Sequence, residues 1–231
     1  MSEAGTYDAI VLAGGRGSRL GGVDKPLLVR NGRTLLDGVL DAVTDASHIV
    51  VVGPPTLAAH TRGHPLVHED PPLGGPVPAI AAGLGALPPG DAPVVVLAAD
   101  LVDPAEAVAA LLAEHRTART ARAAPAPEPP AAPMTPPSRP PTTSTRADGV
   151  IAVDPDGRRQ PLLAIYNAPA LRRAVADLAA HGRLDGLPLR RLVDALALAE
   201  LPLPADQVRD LDTATDAAEL GVSLPPGHPS P

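Results

Sequence analysis

No cysteine occurs among the 231 residues, which excludes disulfides, thiolate zinc sites and a cysteine nucleophile. Phenylalanine and tryptophan are also absent, and the only tyrosines are Tyr7 and Tyr166. A core must then be assembled from Val, Leu, Ile and Ala, each fully buried Val or Leu contributing about 1.5–3 kcal/mol. The same shortage removes the aromatic platforms on which single-stranded nucleic acid stacks. No excess of positive charge exists either. The formal net charge is −7 and no basic stripe appears, so duplex nucleic acid is not a partner suggested by this chain. No stretch approaches the roughly 20 apolar residues of a membrane span, and the first residues show neither a basic segment nor a long apolar run. The expectation is a cytoplasmic protein with no nucleic acid and no membrane partner.

What is present is apolar enough to fold: 45% of residues are hydrophobic and 19% charged, and the length suits one α/β domain. Residues 9–13 form a short apolar run that stops at Gly14-Gly15, as a buried parallel strand does. The sequence IVVV at 49–52 ends at Gly53-Pro54-Pro55, and VVVLA at 94–98 ends at Asp100. Both read as further buried strands, with a shorter one at 66–69. Helices are expected at 34–44, 79–87, 105–114, 170–180, 189–196 and 216–220, and strands at 149–153, 160–166 and 198–203. Strand and helix alternate, which predicts a doubly wound, mostly parallel sheet flanked by helices. Between 123 and 143 the chain carries nine prolines. Residues 117–146 therefore read as a disordered or polyproline-like insertion, and 225–231 as a frayed tail.

The chemistry concentrates in LAGGRGSRLGGVDKP, residues 12–26. Gly14, Gly15 and Gly17 let the backbone approach an anion with no Cβ in the way, and successive N–H groups there form an anion-binding concavity. Arg16, Arg19 and Lys25 add three cations suited to a triphosphate. The motif is not a P-loop, because no Gly-Lys-Ser/Thr closes it. Nor is it the dinucleotide fingerprint, whose third glycine is Leu20 here. Seven histidines are present, and His60, His64 and His68 share a four-residue spacing, but Gly63 and Pro65 break the helix that would align them on a zinc ion.

LAGGRGSRLGGVDKPLL resembles the signature of sugar-phosphate and cofactor nucleotidyltransferases, and its GGVDK form is similar to the molybdenum cofactor guanylyltransferase branch, the MobA-like NTP transferases. The resemblance implies a nucleotide-diphospho-sugar-transferase-like fold in a single domain over 1–231. It implies transfer of GMP from GTP to the phosphate of molybdopterin with release of pyrophosphate, and docking to molybdoenzyme-maturation proteins. Position by position, Leu12, Ala13, Gly14, Gly15, Arg16, Lys25, Gly53, Asp70 and Asp100 fall where that family binds nucleotide. Arg19, Lys25 and Asp100 are the catalytic candidates, and Asp100 with Asp212 the candidate ligands of Mg²⁺. Gly74, Gly75 and Pro76 shape the loop after Asp70, and Glu69 is a further candidate there whose alternative is a side chain that simply faces solvent. Arg158, Arg159 and Gln160 are candidates for the acceptor side. The chain departs from the family pattern at Val102, where a proline is common, at Gly53, where an asparagine is common, and at Ala214, again a proline position. A cytidylyltransferase, a phospholactate guanylyltransferase, a sugar-nucleotide synthase or a non-catalytic nucleotide-binding protein would share the same motifs.

Overall fold

The computed structural model describes residues 7–15, 24–123, 147–211 and 214–223. Arg16, Arg19, Asp212, the expected insertion from residue 124 to 146 and the tail all lie outside these residues.

A seven-stranded sheet is built around β1 (Asp8–Leu12), all five residues of which are buried. On one side β1 pairs in parallel with β4 (Ile49–Val52), which is followed outward by β5 (Leu66–Val67). On the other side it pairs in parallel with β6 (Val94–Ala98). Next comes β8 (Arg159–Tyr166), antiparallel to β6. Then come β7 (Gly149–Val153), antiparallel to β8, and β9 (Leu198–Pro202), parallel to β7. Only β8 opposes the common direction, so the expected mostly parallel sheet is observed. β1 is the switch point: the chain leaves it for β4 on one flank and later returns to β6 on the other.

The short apolar runs become strands because both faces of this sheet are covered. Ala9 and Val11 face a layer containing Leu36, Leu40, Val108 and Leu111, supplied by α1 (Leu35–Ala42) and α3 (Ala105–Ala123). Ile10 and Leu12 face the opposite layer. That layer holds Ile80 and Leu84 of α2 (Pro76–Ala86), Leu171 of α4 (Ala168–Ala180) and Leu192 of α5 (Leu189–Val193). The two tyrosines are both core residues, at 2% and 1% exposure. Burial pushes the Tyr166 hydroxyl pKa far up, and this neutral hydroxyl donates to the Pro161 carbonyl at 2.8 Å, across the bulge in β8. α1 starts on a capping box: the Thr34 hydroxyl accepts from Asp37 N–H, and the Asp37 carboxylate accepts from Thr34 N–H.

α5 ends at Val193 rather than 196 and β5 at Val67 rather than 69, and three further features differ from expectation. α3 does not stop at 114 but continues to Ala123, into the region read as insertion. The segment TARTARA contains no proline and is rich in helix-forming Ala and Arg, and the hydroxyls of Thr117 and Thr120 bond the carbonyls four residues back. α2 begins at Pro76 rather than 79, because proline is tolerated in a first helical turn. Finally, a second sheet not anticipated from the sequence joins β2 (Val29–Arg30), β3 (Arg33–Thr34) and β10 (Val222–Ser223). It packs with α6 (Ala214–Glu219) around Leu28, Leu35, Val102, Leu211 and Val222, fastening the C-terminal segment onto the chain that follows Lys25. Val102, one of the departures noted above, is thus a core residue of this small cluster.

Candidate active site

Because β5, β4, β1 and β6 run in one direction, the segments that follow them emerge along one edge. Backbone bonds stitch these exits together. Ala13 N–H donates to the Val52 carbonyl at 2.7 Å, Ala99 N–H to Leu12 at 2.9 Å, and Gly53 N–H to Val67 at 2.9 Å. The row therefore places Ala13–Gly15, Gly53, the loop at 68–75 and Asp100 side by side. Leu12 and Ala13 are buried, whereas Gly14 and Gly15 are exposed.

Glycine serves two different purposes in this row. A Cβ on Gly53 would meet Leu57 Cδ1 at 3.0 Å and the Ala13 carbonyl at 3.2 Å, so Gly53 permits the close approach of β4 to the β1 exit. A Cβ on Gly14 would meet no described atom within 4 Å. Gly53→Ala should accordingly cost about 1–3 kcal/mol of stability through overpacking, while Gly14→Ala leaves the denaturant midpoint unchanged. Equal midpoints for the two variants would contradict this assignment.

Lys25 opens a 3₁₀ turn, Lys25–Leu27, closed by Leu27 N–H on the Asp24 carbonyl at 2.9 Å, with Pro26 buried beneath. From this turn its Nζ reaches Asp100 Oδ2 at 3.5 Å, joining residues 75 apart in sequence. The side chains are only 17% and 24% exposed, so the pair sits in a recess rather than on open surface. Asp100 is held from behind by the C-terminal segment. Leu211 N–H donates to the Asp100 carbonyl at 3.2 Å, Val102 N–H donates to Arg209 at 2.9 Å, and Leu101 bridges Asp210. Asp212 itself lies outside the described residues, next to Leu211.

Other candidates separate. Asp70 is exposed. Glu69 does not take the solvent-facing alternative: it is buried, and its Oε1 accepts Leu73 N–H at 3.0 Å, which orders the loop after Asp70. Gly74 is tied by its carbonyl to Gly186 N–H at 2.7 Å. On the far side of the edge, Asp154 accepts from the N–H groups of Asp156 and Arg158 and from Gln160 Nε2, fixing the β7–β8 hairpin. Arg159 is drawn to Glu200 on β9 at 2.7 Å, and both Arg158 and Arg159 are exposed. His60 ends a 3₁₀ helix, Pro55–His60, and His64 lies in the turn beyond it. Among the described residues no group of three or more His, Asp or Glu could enclose a metal. One carboxylate with substrate phosphates is a donor set of hard oxygens, and this fits Mg²⁺ or Mn²⁺, which take few protein ligands at such sites.

Comparison with known proteins agrees with this geometry. Residues 9–200 match the MobA-like NTP transferase domain. A molybdenum cofactor guanylyltransferase of Acidiphilium cryptum is 40% identical over 80 residues, 33% of this chain and 40% of that protein. The chain thus aligns with about two-fifths of that curated relative's length. Among solved structures, molybdopterin-guanine dinucleotide biosynthesis protein A from Archaeoglobus fulgidus superposes with a TM-score of 0.61 at 18% identity, covering 93% of this chain and 96% of that one. A Mycobacterium tuberculosis protein crystallised with manganese gives 0.59 at 16% identity, covering 93% and 97%. With its switch-point strand, glycine-rich exit and full-length sheet topology, the chain belongs to the family of MobA-like NTP transferase domains.

Proposed function

We propose that this chain is one nucleotidyltransferase domain that moves GMP from GTP onto the phosphate of molybdopterin, releasing pyrophosphate. The observation that carries the reading is the meeting of Lys25 with Asp100 at the exit of β6, the parallel neighbour of the strand that leads into the exposed Gly14-Gly15 backbone. A lysine and a carboxylate in one recess match the two needs of a triphosphate, a cation for its oxygens and a ligand for its metal. The names of the matched relatives support guanine and molybdopterin as the nucleotide base and the acceptor.

In this reaction an acceptor phosphate oxygen attacks the α-phosphorus of GTP. A new P–O bond forms, the bond to the bridging oxygen breaks, and its electron pair leaves with pyrophosphate. The attacking phosphate is already ionised near neutral pH, so no general base is needed. Gly14 and Gly15 offer N–H groups to the phosphates, and Arg16, Arg19 and Lys25 hold the leaving pyrophosphate. Asp100, with Asp212, would hold Mg²⁺, which when bound offsets negative charge on the phosphates. Lys25 and Asp100 neutralise each other in the free protein and exchange that pairing for the substrate's charges on binding. Asp70 and the loop beyond Gly53 flank the nucleoside, and Arg158 faces the acceptor.

Among the described residues no helix is long and apolar enough to cross a membrane. A cytoplasmic setting, with handover of the product to molybdoenzyme-maturation proteins, completes the proposal.

A thermal-shift panel of GTP, CTP, ATP and UTP with Mg²⁺ tests the base. GTP at about 100 times its Kd should add roughly 2.7 kcal/mol, and the other nucleotides much less. A shift confined to CTP or UTP would redirect the reading to a cytidylyl- or uridylyltransferase. Tight GTP binding without pyrophosphate release would instead indicate a non-catalytic nucleotide-binding protein. Gly14→Ala, folded as above, should lose most of the GTP shift.

A further inference from the structure

Lys25 and Asp100 lie on segments that have no strand in common, so something must fix their separation. Arg30 is built to do so. Its backbone pairs with Val222 of β10 and with Arg33 of β3. Its guanidinium reaches two further segments at once: Nε donates to the Leu220 carbonyl at 2.7 Å, and Nη1 forms an ion pair with Asp103. One side chain therefore joins the stretch beginning at Lys25, the loop beginning at Asp100 and the C-terminal segment whose Leu211 N–H bonds Asp100. A guanidinium, with several donors in a rigid plane, can serve two acceptors in different directions.

Packing joins the same segments, since Leu28 and Leu35 share one cluster with Val102 and Leu211, but Asp103 lies outside that cluster. A cleft of about 200 Å³, lined by Arg30, Asn31, Arg33, Thr34, Leu101 and Asp103, opens beside the junction. Asp103 has φ of 52°, in the left-handed region that L-residues rarely adopt. A loop that borders a cleft and turns through such a residue is fixed by its polar ties. Beside the Lys25–Asp100 contact itself, the Arg30–Asp103 pair is such a tie to the Lys25 side.

We propose that Arg30 is a positioning residue that sets the spacing of Lys25 and Asp100, and so the readiness of Asp100 to take a metal with the nucleotide. The inference rests on the functional reading above. It is tested on the full chain by the Mg²⁺ concentration that gives half-maximal GTP binding, measured calorimetrically for wild type, Arg30→Ala, Arg30→Lys and Asp103→Asn, beside the circular dichroism spectrum and thermal midpoint of each. Losing a residue that orients a metal ligand typically costs about 10- to 100-fold in metal affinity or activity. Arg30→Ala should raise the Mg²⁺ requirement about tenfold with GTP affinity at saturating Mg²⁺ changed by less than about twofold, and Arg30→Lys by an intermediate amount. Asp103→Asn leaves Arg30 and its Leu220 bond in place and removes only the charge pairing, so it should shift the Mg²⁺ requirement in the same direction even if Arg30→Ala fails to fold. An unchanged Mg²⁺ requirement in folded variants, with only the thermal midpoint lowered, would reduce Arg30 to a structural tie and overturn the inference. A wild-type chain that binds no Mg·GTP would overturn the functional reading first, and this inference with it.

Discussion

Replacing Lys25 or Asp100 by alanine should lower pyrophosphate release from GTP by about 10²–10³-fold or more, while the thermal midpoint moves by only a few degrees. The two effects separate because the pair has different roles in the two states. In the free protein its 3.5 Å contact lies partly in solvent, and such a pair contributes about 1 kcal/mol or less. In the proposed transfer each member would face charge that develops on the phosphates, where a preorganised group is worth several times more. Lys25→Arg tests geometry as distinct from charge, and should recover only part of the rate. Turnover within about threefold of wild type in either alanine variant would remove the pair from the mechanism.

The largest structural effect should come from a glycine far from this edge. Gly149 opens β7, between β8 and β9, and a Cβ there would lie 2.2 Å from the Ile165 carbonyl oxygen and 3.0 Å from Tyr166 Cα. Both obstacles are backbone of the neighbouring strand, so no rotamer change relieves them. Gly149→Ala should destabilise by about 3–5 kcal/mol, and lower the midpoint by about 10 °C or more. That is a large share of the 5–15 kcal/mol typical of a folded domain. Soluble variant still folded at low temperature should bind Mg·GTP, since the change lies outside the edge that holds Lys25. A midpoint within about 2 °C of wild type would show that β7 and β8 can separate without cost, contrary to the packing described.

Much of the sheet was legible because buried parallel strands leave a simple trace: β-branched runs such as IVVV and VVVLA, cut off by Gly, Pro or Asp. β4, β6 and β7 occupy the residues expected of them. The strands that were missed, β2, β3 and β10, are two residues each, too short for any alternation to register, and β10 pairs with β2 across most of the chain. Helix ends were misjudged where the deciding factor was the position of a proline, as at Pro76 and after Ala123. At the candidate site, the glycine run, Lys25 and Asp100 were recognisable as motifs. That Lys25 meets Asp100 depends on tertiary closure, including the Leu211 and Arg30 ties, and no local pattern encodes it. Glu69 stayed open between a site contact and a solvent-facing side chain, because nothing in the sequence shows that its carboxylate is buried on the Leu73 N–H. The pairing of Arg159 with Glu200, 41 residues on, likewise has no local pattern.

The central claim is that the Lys25–Asp100 recess performs nucleotidyl transfer, and the most direct measurement is pyrophosphate release from Mg·GTP with and without molybdopterin. Release should require molybdopterin, match the GMP transferred one for one, and disappear in Asp100→Ala. Tight Mg·GTP binding with no release in the presence of molybdopterin, or release unaffected by Asp100→Ala, would contradict it.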